Sequence, residues 1–427
     1  MQIPELHQLF LASAGIVIDT RKIIKNNMFF AIKGEKFDAN TFAKEALETG
    51  CAFVVIDNPT YFIDNRTILV NDSLETLQQL ATFHRNYLNI PIIALTGSNG
   101  KTTTKELIYV VLQKKYRTAA TVGNLNNHIG VPLTLLSFTK DIEIGIVEMG
   151  ANHQKEIEFL CDLALPDYGY ITNFGKAHLE GFGGVEGVIA GKTEMYVHLR
   201  ENHKIAFVNG DDLLQIQKSE DIERVVFGVN AANSFVNIQS ISANPFVEIS
   251  FNKIDIQSKL IGLYNANNIN IAITIGKYFG IADLDIKRAV ESYIPENNRS
   301  QMIVKNSNEI ILDAYNANPS SMKVAIENFL QLEKTNKILF LGDMFELGNE
   351  STREHQIIVE WLCDFTDIKV YFIGHEFYNV QKQCANSKFF NDFEALKLLL
   401  LSSILENQSI LIKGSRGMAL ERILEYI

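Results

Sequence analysis

The chain has 427 residues, 47% of them hydrophobic and 21% charged, with 39 Lys and Arg against 50 Asp and Glu for a formal net charge of -11. That length exceeds one core and, at roughly 150 residues per domain, points to three domains, while an acidic balance without a dense Lys/Arg block argues against a nucleic-acid partner, which needs a basic face. No apolar run approaches the roughly 18 residues of a membrane span, and the first residues lack a basic stretch followed by an apolar one, so a cytoplasmic protein without membrane insertion is expected.

Residues 1–87 read as a small α/β unit, with strands at 51–57 and 67–70 and an amphipathic helix at 73–88; Pro91 then opens a new strand, which puts a boundary near residue 88. The run Ile93-Ala-Leu-Thr-Gly-Ser-Asn-Gly-Lys-Thr-Thr-Thr104 is an apolar strand feeding a glycine-rich turn, and a helical pattern follows from Lys105. Such a turn aims backbone N–H groups and a helix N-terminus at a phosphate, Lys101 reaches the terminal phosphates, and Thr102 offers a hydroxyl to Mg²⁺. ATP is the expected ligand, held by Gly97, Ser98, Asn99, Gly100, Lys101, Thr102 and Thr103. Leu95 stands where the longer phosphate-loop pattern carries glycine, so the loop is the shorter form.

Beyond the loop, apolar strands end repeatedly in polar residues, at Glu148, Thr172-Asn173 and Asn209. In a parallel sheet ligands gather outside the carboxyl ends of strands, so residues 88–296 read as a central ATP-binding α/β domain. Glu148 can hold Mg²⁺ opposite the loop, Asn126 and Asn127 supply amides, and His178 follows another strand end. After Pro295 a further series of strands at 310–313, 338–342, 369–374 and 409–414 alternates with helical segments, which makes residues 297–427 a second doubly wound unit. Cys51, Cys161, Cys363 and Cys384 are scattered without a CxxC pair, so four reduced, mostly buried thiols are expected.

Five segments in order, Gly123-Asn-Leu-Asn-Asn127, Ala177-His-Leu-Glu180, Asp313-Ala-Tyr-Asn-Ala-Asn-Pro319, Leu341-Gly-Asp-Met-Phe-Glu-Leu-Gly348 and Lys413-Gly-Ser-Arg-Gly-Met418, together with the phosphate loop, resemble the Mur ligase family of ATP-dependent amide-bond synthetases. The resemblance runs nearly end to end, and the run Asp313 to Pro319 points within the family to the branch that adds D-alanyl-D-alanine to a UDP-N-acetylmuramoyl tripeptide. It implies a three-domain α/β fold with a small UDP-substrate domain, a central phosphate-loop domain and a Rossmann-like C-terminal domain.

By matched position, the resemblance implies that Lys101 binds the β- and γ-phosphates, that Thr102 and Glu148 serve one Mg²⁺ and His178 a second, and that Asn126 or Asn127 completes the phosphate and metal shell. Lys192 matches a lysine that family members carbamylate into a metal ligand. Asn265 and Asn268 match the adenine-contacting segment, in which Tyr264 replaces the usual His; Arg299 matches a phosphate contact and Asp313 a ribose contact. The UDP moiety is assigned to Thr20, Arg21, Lys33 and Gly34, a hydroxyl, two cations and a close-approach backbone suited to a pyrophosphate; the neighbouring Asp38-Ala-Asn40 departs from the family's Asp-Gly-His. The implied chemistry is phosphorylation of the tripeptide carboxylate, attack of the dipeptide amine on the acyl phosphate and loss of phosphate, by a monomer. A sister ligase, a folylpolyglutamate synthase-like enzyme and a phosphate-loop switch that joins no bond remain alternatives at this point.

Overall fold

The computed structural model describes residues 1–427 apart from 230, 232 and 297. Residue 297, where the third domain is expected to begin, thus lies outside the described residues. Three mainly parallel sheets follow one another along the chain. The first runs Ile16–Val17, Met28–Phe30, Phe53–Ile56, Thr67–Leu69, all parallel, with a two-stranded hairpin, Lys33–Gly34 and Phe37–Asp38, beside it.

The second sheet has the order Arg224–Phe227, Ile205–Asn209, Tyr168–Ile171, Ile92–Thr96, Ile144–Glu148, Thr118–Ala120, parallel throughout. Two of its inner strands, Ile92–Thr96 and Ile144–Glu148, are buried along their whole length, which is why they read as unbroken apolar runs rather than as alternations. The chain leaves Ile92–Thr96 toward one side of the sheet and later returns to pair on its other side, so the carboxyl end of this strand is a topological switch point, where an open α/β sheet leaves a crevice. The third sheet has the order Gln301–Lys305, Asn308–Asp313, Ser409–Lys413, Lys337–Gly342, Lys369–Ile373, Ser387–Phe390, with only the first pair antiparallel. An antiparallel three-stranded sheet, Ile238–Ala243, Phe246–Phe251 and Ile254–Ile261, follows the central one. The expected fold class holds: three α/β layers in series, the middle one carrying the phosphate loop.

Helix Ser73–Leu88 is capped by Asp72, whose carboxylate accepts from Glu75 N at 2.8 Å, and ends at Asn89 in the left-handed region at φ +49°. It packs on helices Gly130–Ser137 and Glu156–Ala164 of the central unit. Arg85 is buried at that contact: it meets Asp167 at 2.8 Å and donates to the carbonyls of Ala164 and Leu165. A buried guanidinium whose Nε and Nη2 are both engaged fixes an interface geometry more than it stabilises it.

Beside it, His7 is fully enclosed, its Nε2 2.9 Å from Nδ1 of His84, whose Nε2 lies 2.9 Å from the carbonyl oxygen of Phe138. The carbonyl requires the proton on His84 Nε2, so His84 Nδ1 accepts and His7 Nε2 donates. Burial, then the neighbouring His84, pushes His7 down to about 4, and burial also lowers His84. A base with a depressed folded pKa leaves stability intact above its unfolded value and loses it as pH falls toward the folded value. Stability is therefore expected to fall between about pH 6.5 and 4, at about 1.4 kcal/mol per unit from His7 alone; urea midpoints at pH 7.5 and 5 check this, and His7→Gln, which keeps a donor to His84, should flatten the fall.

Cys363 and Cys384 form a disulfide, which corrects the expectation of four reduced thiols; Cys51 and Cys161 are free and buried. The pairing is made by the fold. Strands Lys369–Ile373 and Ser387–Phe390 run parallel, and the Asn386 amide donates to the carbonyls of Leu362 and Phe365, which draws the two loops together. Among the described residues no helix is long and apolar enough to cross a membrane.

Candidate active site

Strand Ile92–Thr96 delivers the phosphate loop to the switch point, and helix Lys101–Leu112 starts directly after it. Gly97 and Gly100 take φ +135° and +81°, and a Cβ at Gly97 would lie 2.0 Å from Thr172 Oγ1, one at Gly100 2.8 Å from Asn268 Oδ1. Only glycine meets both demands. The end of the neighbouring strand zips to the loop: Ser98 N donates to Asn173 O at 3.1 Å, Asn99 N to Asn173 Oδ1 at 3.1 Å, and Thr172 Oγ1 to Asn99 O at 2.6 Å. Ser98 Oγ adds a bond to Gly175 O at 2.7 Å. Lys101 folds back so that Nζ donates to Gly97 O at 2.6 Å; burial lowers its pKa, opposed by Glu148.

Across from the loop, Glu148 ends its strand with its backbone N–H held by Thr121 Oγ1 at 2.9 Å, and its Oε1 accepts from Asn126 Nδ2 at 2.8 Å. The other oxygen, Oε2, is buried and has no partner. A buried carboxylate oxygen without a donor is costly unless a cation meets it. The two asparagines separate here: Asn127 Oδ1 accepts from the N–H groups of Ile129 and Gly130 and so shapes the start of helix Gly130–Ser137, whereas Asn126 faces the carboxylate.

His178 sits at φ +54° and Glu346, from the third sheet's unit, at φ +61°; the imidazole Nδ1 and the Glu346 carboxylate pair directly. Lys192, on helix Val185–Glu201, is 1% exposed, with Nζ 3.3 Å from Ala151 O and 4.9 Å from the centre of the Phe182 ring. Burial first, then repulsion from Lys101, lowers it well below an ordinary lysine, against the pull of Glu156 and Glu194.

On the third side, Asn268 Nδ2 donates to Asn265 Oδ1 at 2.8 Å and its Oδ1 accepts from Thr104 Oγ1 at 3.0 Å, while Asn265 Nδ2 is tied to Ile261 O. Tyr264 Oη lies 2.7 Å from Ser300 Oγ, Ser300 N donates to Asp313 Oδ1 at 3.1 Å, and Lys413 Nζ meets Asp313 Oδ2 at 2.5 Å. The Arg299 guanidinium stacks 3.6 Å over the Tyr315 ring, and its Nε is buried without a partner.

These walls enclose one cleft of about 870 Å³. It brings together Ser98, Asn99, Gly100, Lys101, Thr102, Thr103, Asn126, Asn127, Glu148, His178, Asn265, Asn268, Arg299 and Asp313. Gly97 underlies the loop, and Lys192 lies behind the wall rather than on it. Thr20, Arg21, Lys33 and Gly34 are not part of this cleft. The sequence reading gave no individual role to Asn173, Asn318, Tyr315 or Lys413, although each stands in a segment it quoted. Among the described residues no three His, Cys, Asp or Glu side chains converge as a ready-made metal cage, so a cation at Glu148 would have to share its shell with phosphate oxygens and water, as Mg²⁺ does.

Residues 95–276 match the Mur ligase middle domain, and residues 298–416 match the Mur ligase glutamate ligase domain. The chain is 36% identical to the UDP-N-acetylmuramoyl-tripeptide--D-alanyl-D-alanine ligase of Bacillus subtilis over 96% of its own length and 92% of the relative's. It belongs to the Mur ligase family. The enzyme of the same name from Escherichia coli K12 is 34% identical over 98% of this chain and 94% of its own. Among solved structures, MurF from Acinetobacter baumannii superposes with a TM-score of 0.86 at 29% identity, covering 98% and 97% of the two chains. MurF ligase from Thermotoga maritima in complex with ADP gives 0.85 at 27% identity, with 97% of each covered. A folylpolyglutamate synthase from Mycobacterium tuberculosis, at 14% identity, shares the fold alone.

In this Mur ligase the N-terminal candidates stand apart as a surface group. Arg21 is exposed and held in a fork by Asp19, with Nε 2.9 Å from Oδ1 and Nη2 2.8 Å from Oδ2. Lys33 pairs with Asp57 at 2.8 Å, and Asp57 also accepts from Asn40 Nδ2 at 2.9 Å. Asn40 is buried, bridging Asp38 and Asp57, so the Asp38-Ala-Asn40 departure has a use of its own: an amide offers donors and an acceptor to two strand ends at once.

Proposed function

We propose that this Mur ligase joins D-alanyl-D-alanine to UDP-N-acetylmuramoyl-tripeptide at the expense of ATP, giving UDP-N-acetylmuramoyl-pentapeptide, ADP and phosphate, as a cytoplasmic monomer. The observation that carries this reading is near full-length similarity to ligases of that name, at 36% identity to one of them. The division of labour assigns the UDP-substrate to residues 1–87, ATP to 88–296, and closure over the nucleotide to 297–427.

A carboxylate does not react with an amine in water because oxide is a poor leaving group; phosphorylation by ATP supplies a better one. The tripeptide carboxylate attacks the γ-phosphate, and the dipeptide amine then attacks the acyl phosphate and displaces phosphate. Three anionic groups must meet, so the residues act mainly by positioning and charge. Lys101, freed from its own loop carbonyl, turns to the transferring phosphate, and the loop N–H groups cradle it. Arg299, stacked on Tyr315 with a free Nε, offers a second cation from the other wall. Asp313, oriented by Lys413 and Ser300, is set to receive a ribose hydroxyl.

Thr102 and Glu148 would hold one Mg²⁺, for which the unpartnered Glu148 oxygen is suited, and His178 with a carbamylated Lys192 a second. When bound, the metal supplies positive charge to the phosphate oxygens. Lys192 is suited to carbamylation because burial favours the neutral amine: its lone pair would attack CO₂, a proton would leave, and the neutral amine would become an anionic carbamate.

The test is phosphate release and product mass with UDP-N-acetylmuramoyl-tripeptide, ATP and a panel of amines. Turnover only with the dipeptide is expected, and phosphate release independent of the UDP-substrate would instead make the protein a phosphate-loop switch. For the UDP assignment, Arg21→Ala should raise KM for the UDP-substrate about ten-fold, the lower end for a charge-assisted bond because Asp19 already holds the guanidinium. KM for ATP should stay within about two-fold; equal weakening of both would place Arg21 in support of the fold.

A further inference from the structure

Asn318 occupies an unusual double position. It is the N-cap of helix Pro319–Gln331, where its Oδ1 accepts from Ser321 N at 2.9 Å. That bond settles which end of the amide is which, so the NH₂ group points the other way. There it donates to Asn99 Oδ1 at 2.7 Å, across the boundary between the C-terminal unit and the phosphate loop, and Asn318 is 5% exposed. The next residue but one repeats the contact: Ser320 Oγ accepts from Lys176 N at 2.9 Å.

Asn99 is thereby held from two sides. Its backbone N–H and carbonyl are fixed by Asn173 and Thr172 of the central unit, and its side chain by Asn318 of the C-terminal one. Gly175 lies close behind the Asn99 amide, so close that a Cβ there would come within 2.8 Å of Asn99 Nδ2. Gly100 and Lys101 follow immediately.

We infer that Asn318 is a positioning residue for ATP, which sets the phosphate loop through Asn99 when the C-terminal domain is docked. The inference rests on the ligase reading above. It makes the loop's grip on the triphosphate depend on the presence of the very domain that must close over it. Without the Asn318 bond the Asn99 side chain would have to find water or a new rotamer, and the loop would hold phosphate less well.

The experiment is a double-mutant cycle. Asn318→Ser keeps a hydroxyl acceptor for the helix cap but is too short to reach Asn99; Asn99→Ala removes the partner and leaves the cap untouched. Each single variant should raise KM for ATP and the dissociation constant for ADP by about five- to twenty-fold, as for loss of one part-buried hydrogen bond. KM for D-alanyl-D-alanine should change less than about two-fold, and the double variant should be no weaker for ATP than the worse single one. Melting temperatures of the three variants show whether each is folded. Additive effects, an unchanged ATP constant in Asn318→Ser, or an effect confined to the dipeptide would each overturn the inference. Absence of any dipeptide-dependent turnover in the wild-type protein would instead strike the ligase reading, and ADP binding to the variants would still test the contact.

Discussion

Lys101→Ala should lower kcat by about 10²–10³-fold, as for removal of one charge aimed at a developing transition state, while melting temperature stays near that of the wild type. The wild-type ammonium is satisfied by carbonyls of its own loop, at 2.6 Å from Gly97 O, so its loss removes a local tie and opens no apolar core. Burial already lowers its pKa; a triphosphate placed against it would restore the charged form, so the energy appears when phosphate is present. Single-turnover phosphate release by Lys101→Ala, Lys101→Arg and wild type checks this. Near-normal release by the alanine variant would remove the phosphate-loop assignment. Partial activity in Lys101→Arg would show that charge alone counts for more than the shape of an ammonium.

Lys192→Ala is expected to lose at least about ten- to a hundred-fold in activity, the range for a group that supports a metal site, and to regain part of it with formate or acetate. The side chain has one polar contact, at 3.3 Å from Ala151 O, and is 1% exposed beside the Phe182 ring. A charged ammonium there would be costly to bury, would repel Lys101, and would be only partly offset by Glu156 and Glu194. A carbamate would reverse that sign. A small carboxylate diffusing into the space left by alanine should act in its place. Full activity without any additive would make Lys192 a packing residue, and rescue by chloride to the same degree would show that a carboxylate is not what the site requires. Solution ¹³C spectra of the wild type in labelled bicarbonate give a readout that does not depend on turnover.

The parallel strands were the most legible part of the sequence because burial on both faces leaves a continuous apolar run. Ile144–Glu148 is buried at every position and ends in the carboxylate that faces the phosphate loop. The antiparallel strands Phe246–Phe251 and Ile254–Ile261 instead alternate between buried and exposed residues, a weaker signal that the sequence reading passed over. Thr118–Ala120 is three residues long, too short to show any period. Asn126 and Asn127 are chemically identical neighbours, and only their directions, one to a carboxylate and one to a helix start, tell them apart. Asn318 stood in a quoted motif, but its reach to Asn99 comes from two units of the fold meeting. The bond between Cys363 and Cys384 has no spacing signature at all, since a strand pairing brings them together.

The seat of the phosphate loop on the strand beside it also constrains how such a sequence can drift. Any side chain at Gly97 collides with the Thr172 hydroxyl at 2.0 Å, and that hydroxyl is itself one of the two donors, with Asn173 Nδ2, that hold the Asn99 carbonyl. A lineage that replaced Thr172 by a smaller residue would lose one of those donors, and a side chain at position 97 would still meet the backbone N of residue 172 at 2.9 Å; one that kept Thr172 could accept nothing at position 97. Two motifs far apart in the chain are thus a single heritable unit: neither can change first without loss, so selection sees them together.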